Sequence, residues 1–233
     1  MMKKRKNTCG DPLSESPHTI KECDFIAKFV NTLCSKKIQQ IEENMRLWTI
    51  QPVEVVNILE RDGIFTCDPK KSEYYNDFHD SYLWIAAEMD KRNIPHPNGL
   101  KLPLWAWHTR DWKHKKPDLR TTGLGTPGKS YVCIEFEIDD KKALLSDYNS
   151  WHYVLNHIWF DGSYSEDDWN KKQEWFDSLN PKEKENAIIK SWQNIFDVVK
   201  RKNDWFTNGR YIQATFWELR KDMVTNIKYF KVK

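Results

Sequence analysis

The sequence predicts an α+β protein, because strand-like and helix-like segments are mixed along the chain without strict alternation. The clearest strand covers residues 131–138, where apolar and polar residues alternate with a period of two. The clearest helix covers residues 77–92, where apolar residues fall on one stripe at helical spacing. Two further strands, 211–219 and 227–232, close the chain after a run of helices, which argues against a doubly wound sheet.

The first predicted strand and helix follow residue 45. Residues 46–51 are expected to form a short strand, and a helix follows with Pro52 at its first position and Gly63 just past its end. Alternation places Thr49 and Gln51 on one face of that strand. Two short polar side chains beside a helix start suit the binding of a ligand.

The middle of the chain is predicted to carry one strand, a charged loop and three helices. These are a strand at 102–108, a loop at 111–129, a helix at 150–156, a helix opened by Ser165 that ends at Leu179, and a helix from Pro181 to about Lys200. Ser165 and the acids after it are typical of a helix N-terminus. The glycines at 123–128 do not form a phosphate-binding fingerprint, because no strand-to-helix turn surrounds them.

Residues 1–44 are predicted to form a separate N-terminal appendage ahead of a main domain over residues 45–233. Residues 7–19 are rich in Pro, Gly and Ser, whereas residues 20–43 carry apolar side chains at loosely helical spacing. The appendage is expected to pack on the main domain or on a partner. Alternatively, translation starts at Met45 and the stretch before it reflects an over-long choice of start.

Composition predicts a cytoplasmic protein that does not enter a membrane. The chain has 233 residues, a net charge of +3 and no apolar run near the roughly 20 residues that span a bilayer. Its basic start lacks the apolar segment of a secretory signal. Five cysteines without a C-x-x-C pair predict free thiols and no metal site. The 12 tryptophans either build an aromatic core or line a pocket for a planar ligand or base.

Six stretches after residue 44 carry a family resemblance. They are Met45-Arg-Leu-Trp-Thr-Ile-Gln-Pro, Leu104-Trp-Ala-Trp, Lys116-Pro-Asp-Leu-Arg, Leu145-Ser-Asp-Tyr, Lys190-Ser-Trp and Ile212-Gln-Ala-Thr-Phe-Trp-Glu-Leu. On these stretches the chain resembles bacterial domain-of-unknown-function family 3841, over nearly the whole of its length after residue 44. The name of that family supplies no function.

The order of parts is also distantly similar to the ADP-ribosyltransferase superfamily. Such folds begin with a strand and a helix that ends in Gly, continue with an apolar-Glu-apolar strand, and carry the catalytic Glu or its substitute on a late strand. Residues 48–51, 133–139 and 211–215 fill the three strand positions here. Thr49 stands where His or Arg is common, and Gln213 stands where Glu is common.

The resemblance implies split antiparallel or mixed sheets flanked by helices, with NAD as co-substrate in a cleft between two small sheets. Breaking the nicotinamide–ribose bond builds positive charge on the ribose, which a carboxylate or dipole stabilises. Gln213 and Glu218 are the candidate catalytic residues. Gln213 would bond a ribose hydroxyl, or is simply a solvated sheet position. Glu218 needs a bulge or strand end to reach the site, and otherwise makes a helix contact or a surface ion pair.

Six further residues are candidates for binding NAD, namely Thr49, Gln51, Tyr82, Trp84, Arg110 and Arg120. The two strand residues would contact the adenosine ribose or the carboxamide, or represent ordinary strand polarity. The two aromatic residues are two positions apart on a helix, so at most one can stack on nicotinamide; Tyr82 alternatively belongs to the core. The two arginines suit the pyrophosphate, which guanidinium binds bidentately, or lie in a plain solvated loop.

The predicted function is therefore NAD-dependent transfer of ADP-ribose to a macromolecule, either nucleic acid or protein. The basic balance and the tryptophan excess favour nucleic acid. Enzymes of this kind are often toxins with an antitoxin partner or act in phage defence, which is an argument by analogy. The alternative is a non-catalytic nucleotide- or partner-binding module, which Thr49 and Gln213 favour.

Overall fold

The computed structural model describes residues 44–72, 75–202, 205 and 207–233. The predicted appendage, apart from Asn44, therefore lies outside the described residues. The strands are β1 Asn44–Pro52, β2 Ile64–Thr66, β3 Leu104–Arg110, β4 Ser130–Asp139, β5 Ala143–Asp147, β6 Tyr211–Phe216, β7 Glu218–Arg220 and β8 Val224–Lys231. The α-helices are α1 Glu54–Asp62, α2 His79–Lys91, α3 Tyr148–Leu155, α4 Glu166–Ser178 and α5 Pro181–Ser191. Short 3-10 turns cover Pro69–Lys71, Asp140–Lys142, Trp192–Phe196 and Lys221–Met223.

Six of these strands form one continuous sheet in the order β5-β6-β3-β1-β4-β8, and every neighbouring pair is antiparallel. Strands β2 and β7 form a separate two-stranded antiparallel sheet. The α+β class is confirmed, and the finer likeness to ADP-ribosyltransferases stays a prediction. Within the described ranges, no helix combines the length and the apolar character that crossing a bilayer requires.

The first face of the large sheet packs against α1 and the small sheet. Leu47, Ile134, Phe136 and Phe216 are fully buried there, together with Leu59 of α1. The rings of Phe136 and Phe216 lie 5.0 Å apart between centroids. This core therefore joins strands that are far apart in sequence.

The second face is partly covered by α2, α3 and the 3-10 turn Trp192–Phe196. Its core is rich in tryptophan: Trp151, Trp192 and Trp217 are at most 4% exposed, and Trp105 of β3 packs against Trp151 at 5.0 Å. Much of the tryptophan excess thus builds an ordinary aromatic core, as one of the two interpretations of the composition expected.

The start of α1 and the end of the chain differ from the prediction. Pro52 ends strand β1 opposite Tyr131 instead of opening the helix, which begins two residues later at Glu54. A proline is tolerated at the end of a strand because the hydrogen-bond ladder between strands does not require an N–H donor at that position. Gly63 does end the helix, with φ at +72°. The predicted strand 211–219 is interrupted at Trp217 and divides between the two sheets.

Candidate functional site

A row of polar and aromatic side chains crosses the second face of the sheet. The register pairs Ser146 with Gln213 and Gln213 with Trp107. It also pairs Trp107 with Trp48 and Trp48 with Glu135. Directly paired residues project to the same side, so these five side chains, the cross-strand row, share one face. The row spans five adjacent strands, or about 19 Å at the usual strand spacing.

The centre of the row is the indole ring of Trp107. The guanidinium carbon of Arg110 lies 4.3 Å from the centroid of this ring, a cation–π contact. The ring of Tyr148, the first residue of α3, lies 5.1 Å away. Among the described residues, Arg110 has no carboxylate partner, so a positive charge is available beside Gln213.

The Gln213 end of the row has polar groups without partners. The Ser146 hydroxyl is fully buried and has no hydrogen-bond partner in the part of the chain that the structure describes. The Gln213 side chain is half-buried, and its amide likewise has no partner within the described ranges. Buried polar groups are normally hydrogen-bonded, so the Ser146 hydroxyl is an exception, whereas the partly exposed Gln213 amide is accessible to a ligand.

The Glu135 end of the row is already satisfied. The indole N–H of Trp48 donates to Glu135 Oε2 at 3.0 Å, and Arg46 Nε lies 3.5 Å from Glu135 Oε1. His114 packs edge-on against Trp48 at 5.2 Å between ring centroids, and Trp48 is only 5% exposed. This carboxylate therefore holds the aromatic side chains in place, and it lies about 14 Å, three strand spacings, from Gln213.

Two groups near the row are held in their neutral forms. His108 lies where the register between β3 and β6 shifts, and its ring is 4.2 Å from that of His114. Burial, and then the neighbouring His114, lower the pKa of His108 to about 4. On strand β4, burial raises the pKa of the Cys133 thiol to about 11, so this cysteine is a poor nucleophile.

The depressed pKa of His108 predicts a pH-dependent loss of stability. The unfolded chain takes up a proton near the ordinary value of 6.5, whereas the folded protein does so only near 4. We therefore expect this histidine to lower the free energy of unfolding as the pH falls from about 6.5 to about 4, and to have no effect above 6.5. Thermal unfolding at a series of pH values should show a shallower decline for His108→Gln. The exposed His152→Gln control should behave like the original protein, and identical curves for all three proteins would contradict the prediction.

The predicted pair Thr49 and Gln51 lies on the first face, away from Gln213. Thr49 is 1% exposed, and its hydroxyl donates to the carbonyl oxygen of Trp105 at 2.8 Å. The Gln51 amide donates to the Thr49 hydroxyl at 2.8 Å. The sheet itself separates this pair from the cross-strand row, to which strand β1 instead contributes Trp48.

The two aromatic candidates on α2 lie in the second core. The ring of Tyr82 stacks near Trp151 at 6.4 Å, and the ring of Trp84 stacks on Phe196 at 5.8 Å. Trp84 also meets Trp192 edge-on at 5.4 Å. These contacts match the core interpretation that the sequence left open for Tyr82.

Glu218 and Arg120 are also placed away from the row. Glu218 lies on the small sheet opposite Thr66, and its carboxylate is 3.9 Å from the guanidinium of Arg220. Arg120 pairs bidentately with Asp118, at 2.7 and 2.8 Å, in the exposed loop after β3. The Arg120 guanidinium holds the pKa of the Asp118 carboxyl well below its usual range.

Of the eight candidate residues, Gln213 and Arg110 are thus brought together, and Trp107 joins them. Trp107 was not among the predicted site residues, although strand alternation in 102–108 could have placed it on one face. Ser146 was not among them either, because β5 was not predicted. Among the residues that the structure describes, no three His, Cys, Asp or Glu side chains group as a metal site requires.

This fold and row define an α+β protein with aromatic and polar side chains along one face of its large sheet. A model of the family described as "Domain of unknown function (DUF3841)" matches residues 46–225. The chain belongs to this family, which confirms that part of the resemblance. No curated protein and no solved structure matches the chain.

Proposed function

We propose that the protein transfers ADP-ribose from NAD to a macromolecular acceptor, with the nicotinamide half of NAD bound on the cross-strand row. One juxtaposition supports this function. Gln213, whose amide has no partner within the described ranges, is paired in register with Trp107, and the guanidinium of Arg110 lies over the same indole ring. An amide can bond a ribose hydroxyl, a flat ring can stack on nicotinamide, and a cation can pair with the pyrophosphate of NAD.

Each group has a distinct role in the proposed reaction. The planar nicotinamide stacks against Trp107 or Tyr148, and Arg110 pairs with the pyrophosphate. The bond between the ribose C1′ and the nicotinamide nitrogen breaks, and its electron pair leaves with nicotinamide. A lone pair of the acceptor then bonds to C1′, and the acceptor proton passes to water. Gln213 orients the ribose by a hydrogen bond to a hydroxyl, while its carbonyl dipole faces the developing positive charge.

The order of strands is compatible with an ADP-ribosyltransferase-like fold. The first strand β1 and the late strand β6 are separated in the sheet only by β3. Residues of the beginning and the end of the domain therefore meet on one face. In this proposal Trp48, and not Thr49, is the β1 residue on the face of Gln213, where it supports the row without touching the ligand.

A nucleotide-binding module without catalysis is the second candidate, and one observation favours it. The only carboxylate of the row, Glu135, is engaged by Trp48 and Arg46 and lies far from Gln213. An amide stabilises an oxocarbenium-like transition state less than a full negative charge does. A protein with these groups can bind NAD and still react slowly.

The test is incubation of the full chain with NAD labelled in its adenylate half and with total cell lysate, followed by separate protease and nuclease digestion. Acid-insoluble label supports the transferase, and the digestion that releases it identifies protein or nucleic acid as the acceptor. NAD binding by calorimetry without any label supports the binding module. Absence of both label and binding overturns the proposed function.

A further inference from the structure

A cleft lies away from the cross-strand row, beside the start of α3. Its volume is about 670 Å³, within the range of small-molecule sites. Among the described residues, its walls come from the start of α3, residues 160–164, α4, and Asn194, Asp197, Arg201, Trp205, Thr207 and Asn208, without any residue of the row. A ligand bound here is therefore distinct from one bound beside Gln213.

The cleft offers neutral polar groups that have no hydrogen-bond partner within the described ranges. Ser163 is 6% exposed, and its hydroxyl has no hydrogen-bond partner among the described residues. The side-chain amides of Asn149 and Asn194 are solvent-exposed and have no partner within the described part of the chain, so a ligand in the cleft can reach them. Each amide presents a donor and an acceptor side by side, whereas a buried hydroxyl without a partner is costly.

The charged groups of the cleft are already used within the protein. Arg201 pairs with Asp197, and Lys172 pairs with Asp168 at 2.9 Å. The Asp161 carboxylate accepts a hydrogen bond from the backbone N–H of Ser163 at 2.7 Å. The lining holds three aspartates against one lysine and one arginine. A phosphate would meet no free cation among the described lining residues, in contrast to the situation beside Arg110, so this lining suits an uncharged ligand.

Large aromatic rings stand at this cleft in contact with solvent. Tyr164 is 63% exposed and Trp169 is 41% exposed, although burial is normal for such side chains. Tyr153 and Phe160 stack on each other at 4.5 Å and also line the cleft. Exposed aromatic rings can stack on the face of a base, and neighbouring side-chain amides can form hydrogen bonds with its edge.

We propose that this cleft binds a single unpaired nucleobase, with its sugar but without a requirement for phosphate. The amides of Asn149 and Asn194 would bond the base edge, and Tyr164 or Trp169 would stack on its face. This proposal stands independently of the proposed ADP-ribosyl transfer.

Calorimetric titration of the full chain with adenosine, guanosine, cytidine and uridine tests the proposal. We expect at least one nucleoside to bind with a dissociation constant of about 0.1 mM, a value consistent with its size. Its 5′-monophosphate should bind no more than about twofold more tightly, because every cation among the described lining residues is already paired. Failure of all four nucleosides to bind would overturn the proposal.

Single substitutions test whether the nucleoside binds in this cleft. Asn194→Ala should weaken nucleoside binding by about tenfold, the loss expected for one hydrogen-bonded pair. The matched control Asn186→Ala removes an exposed amide on α5 and should change nothing. Gln213→Ala should also leave nucleoside binding unchanged, so failure of the transferase and failure of this cleft are distinguishable. Equal binding of free ribose, or loss of binding in Gln213→Ala but not in Asn194→Ala, would contradict the assignment.

Discussion

Gln213→Ala is expected to lower the rate of ADP-ribosyl transfer by about 100-fold while the protein stays folded. Removing one preorganised polar group that faces developing charge typically costs two to three orders of magnitude in kcat. The Gln213 side chain is half-buried and has no hydrogen bond within the described ranges, so its removal should change the free energy of unfolding by less than about 0.5 kcal/mol. Single-turnover label transfer and thermal unfolding measure the two effects separately.

Three comparisons sharpen this test. Gln213→Glu places a carboxylate at the same position and should transfer ADP-ribose faster than Gln213→Ala. Arg110→Ala should mainly raise the KM for NAD, because its proposed contact with the pyrophosphate is the same in ground and transition states. Asn186→Ala, an exposed amide on α5, should match the original protein. Full activity of Gln213→Ala would remove the row from the proposed mechanism.

Local signals in the sequence were enough to predict most of the elements. The period of two in β4 and the stripe on α2 predicted both within two residues of their observed ends. Helix starts were equally predictable from the sequence. The Ser165 hydroxyl accepts a hydrogen bond from the backbone N–H of Asp168 at 3.2 Å at the start of α4. Helix α5 begins with a capping box between Asn180 and Glu183. Such contacts span three residues, so sequence alone reveals them.

Elements that depend on distant partners were missed. Strand β5 has only five residues and no alternation, and it is held by pairing with β6, about 70 residues further along the chain. The predicted helix from Pro181 ends at Ser191, where a 3-10 turn places Trp192 and Ile195 in the second core. Burial in the tertiary structure determines where β5 forms and where α5 ends, and no local sequence pattern indicates such burial.

The residues of the candidate site could be predicted from local sequence, but their arrangement could not. Gln213 and Arg110 were identified separately, by a resemblance and by the chemistry of guanidinium. Their meeting at Trp107 depends on the register between β3 and β6, including the irregularity at His108. Alternation placed Thr49 and Gln51 correctly on one face of β1. Only the order of strands could place that face opposite Gln213.

Asp147→Ala is expected to destabilise the protein by about 3 kcal/mol, because this buried carboxylate joins three segments. It is 1% exposed, and its Oδ1 accepts from the backbone N–H of Ser150 at 2.9 Å and from the Ser150 hydroxyl at 3.1 Å. Its Oδ2 accepts from the backbone N–H of Gly209 at 2.8 Å. Alanine would leave these donors buried without partners, and the melting temperature should fall by about 6–12 °C.

Two variants show whether this connection is the cause. Asp139→Ala removes a similar cap, to the backbone N–H of Lys141 at 2.9 Å, at an exposed site and should cost less than about 1 kcal/mol. Gly209→Ala disturbs the other side of this connection, because φ is +75° and a Cβ would lie 2.7 Å from the carbonyl oxygen of Val198.

Similar losses of stability for Asp147→Ala and Gly209→Ala would establish the link between the end of β5 and the start of β6. Since β5 and β6 carry Ser146 and Gln213, we expect the same link to hold the unpartnered end of the cross-strand row in register. A loss for Asp147→Ala no greater than that for Asp139→Ala would show that strand pairing alone fixes it.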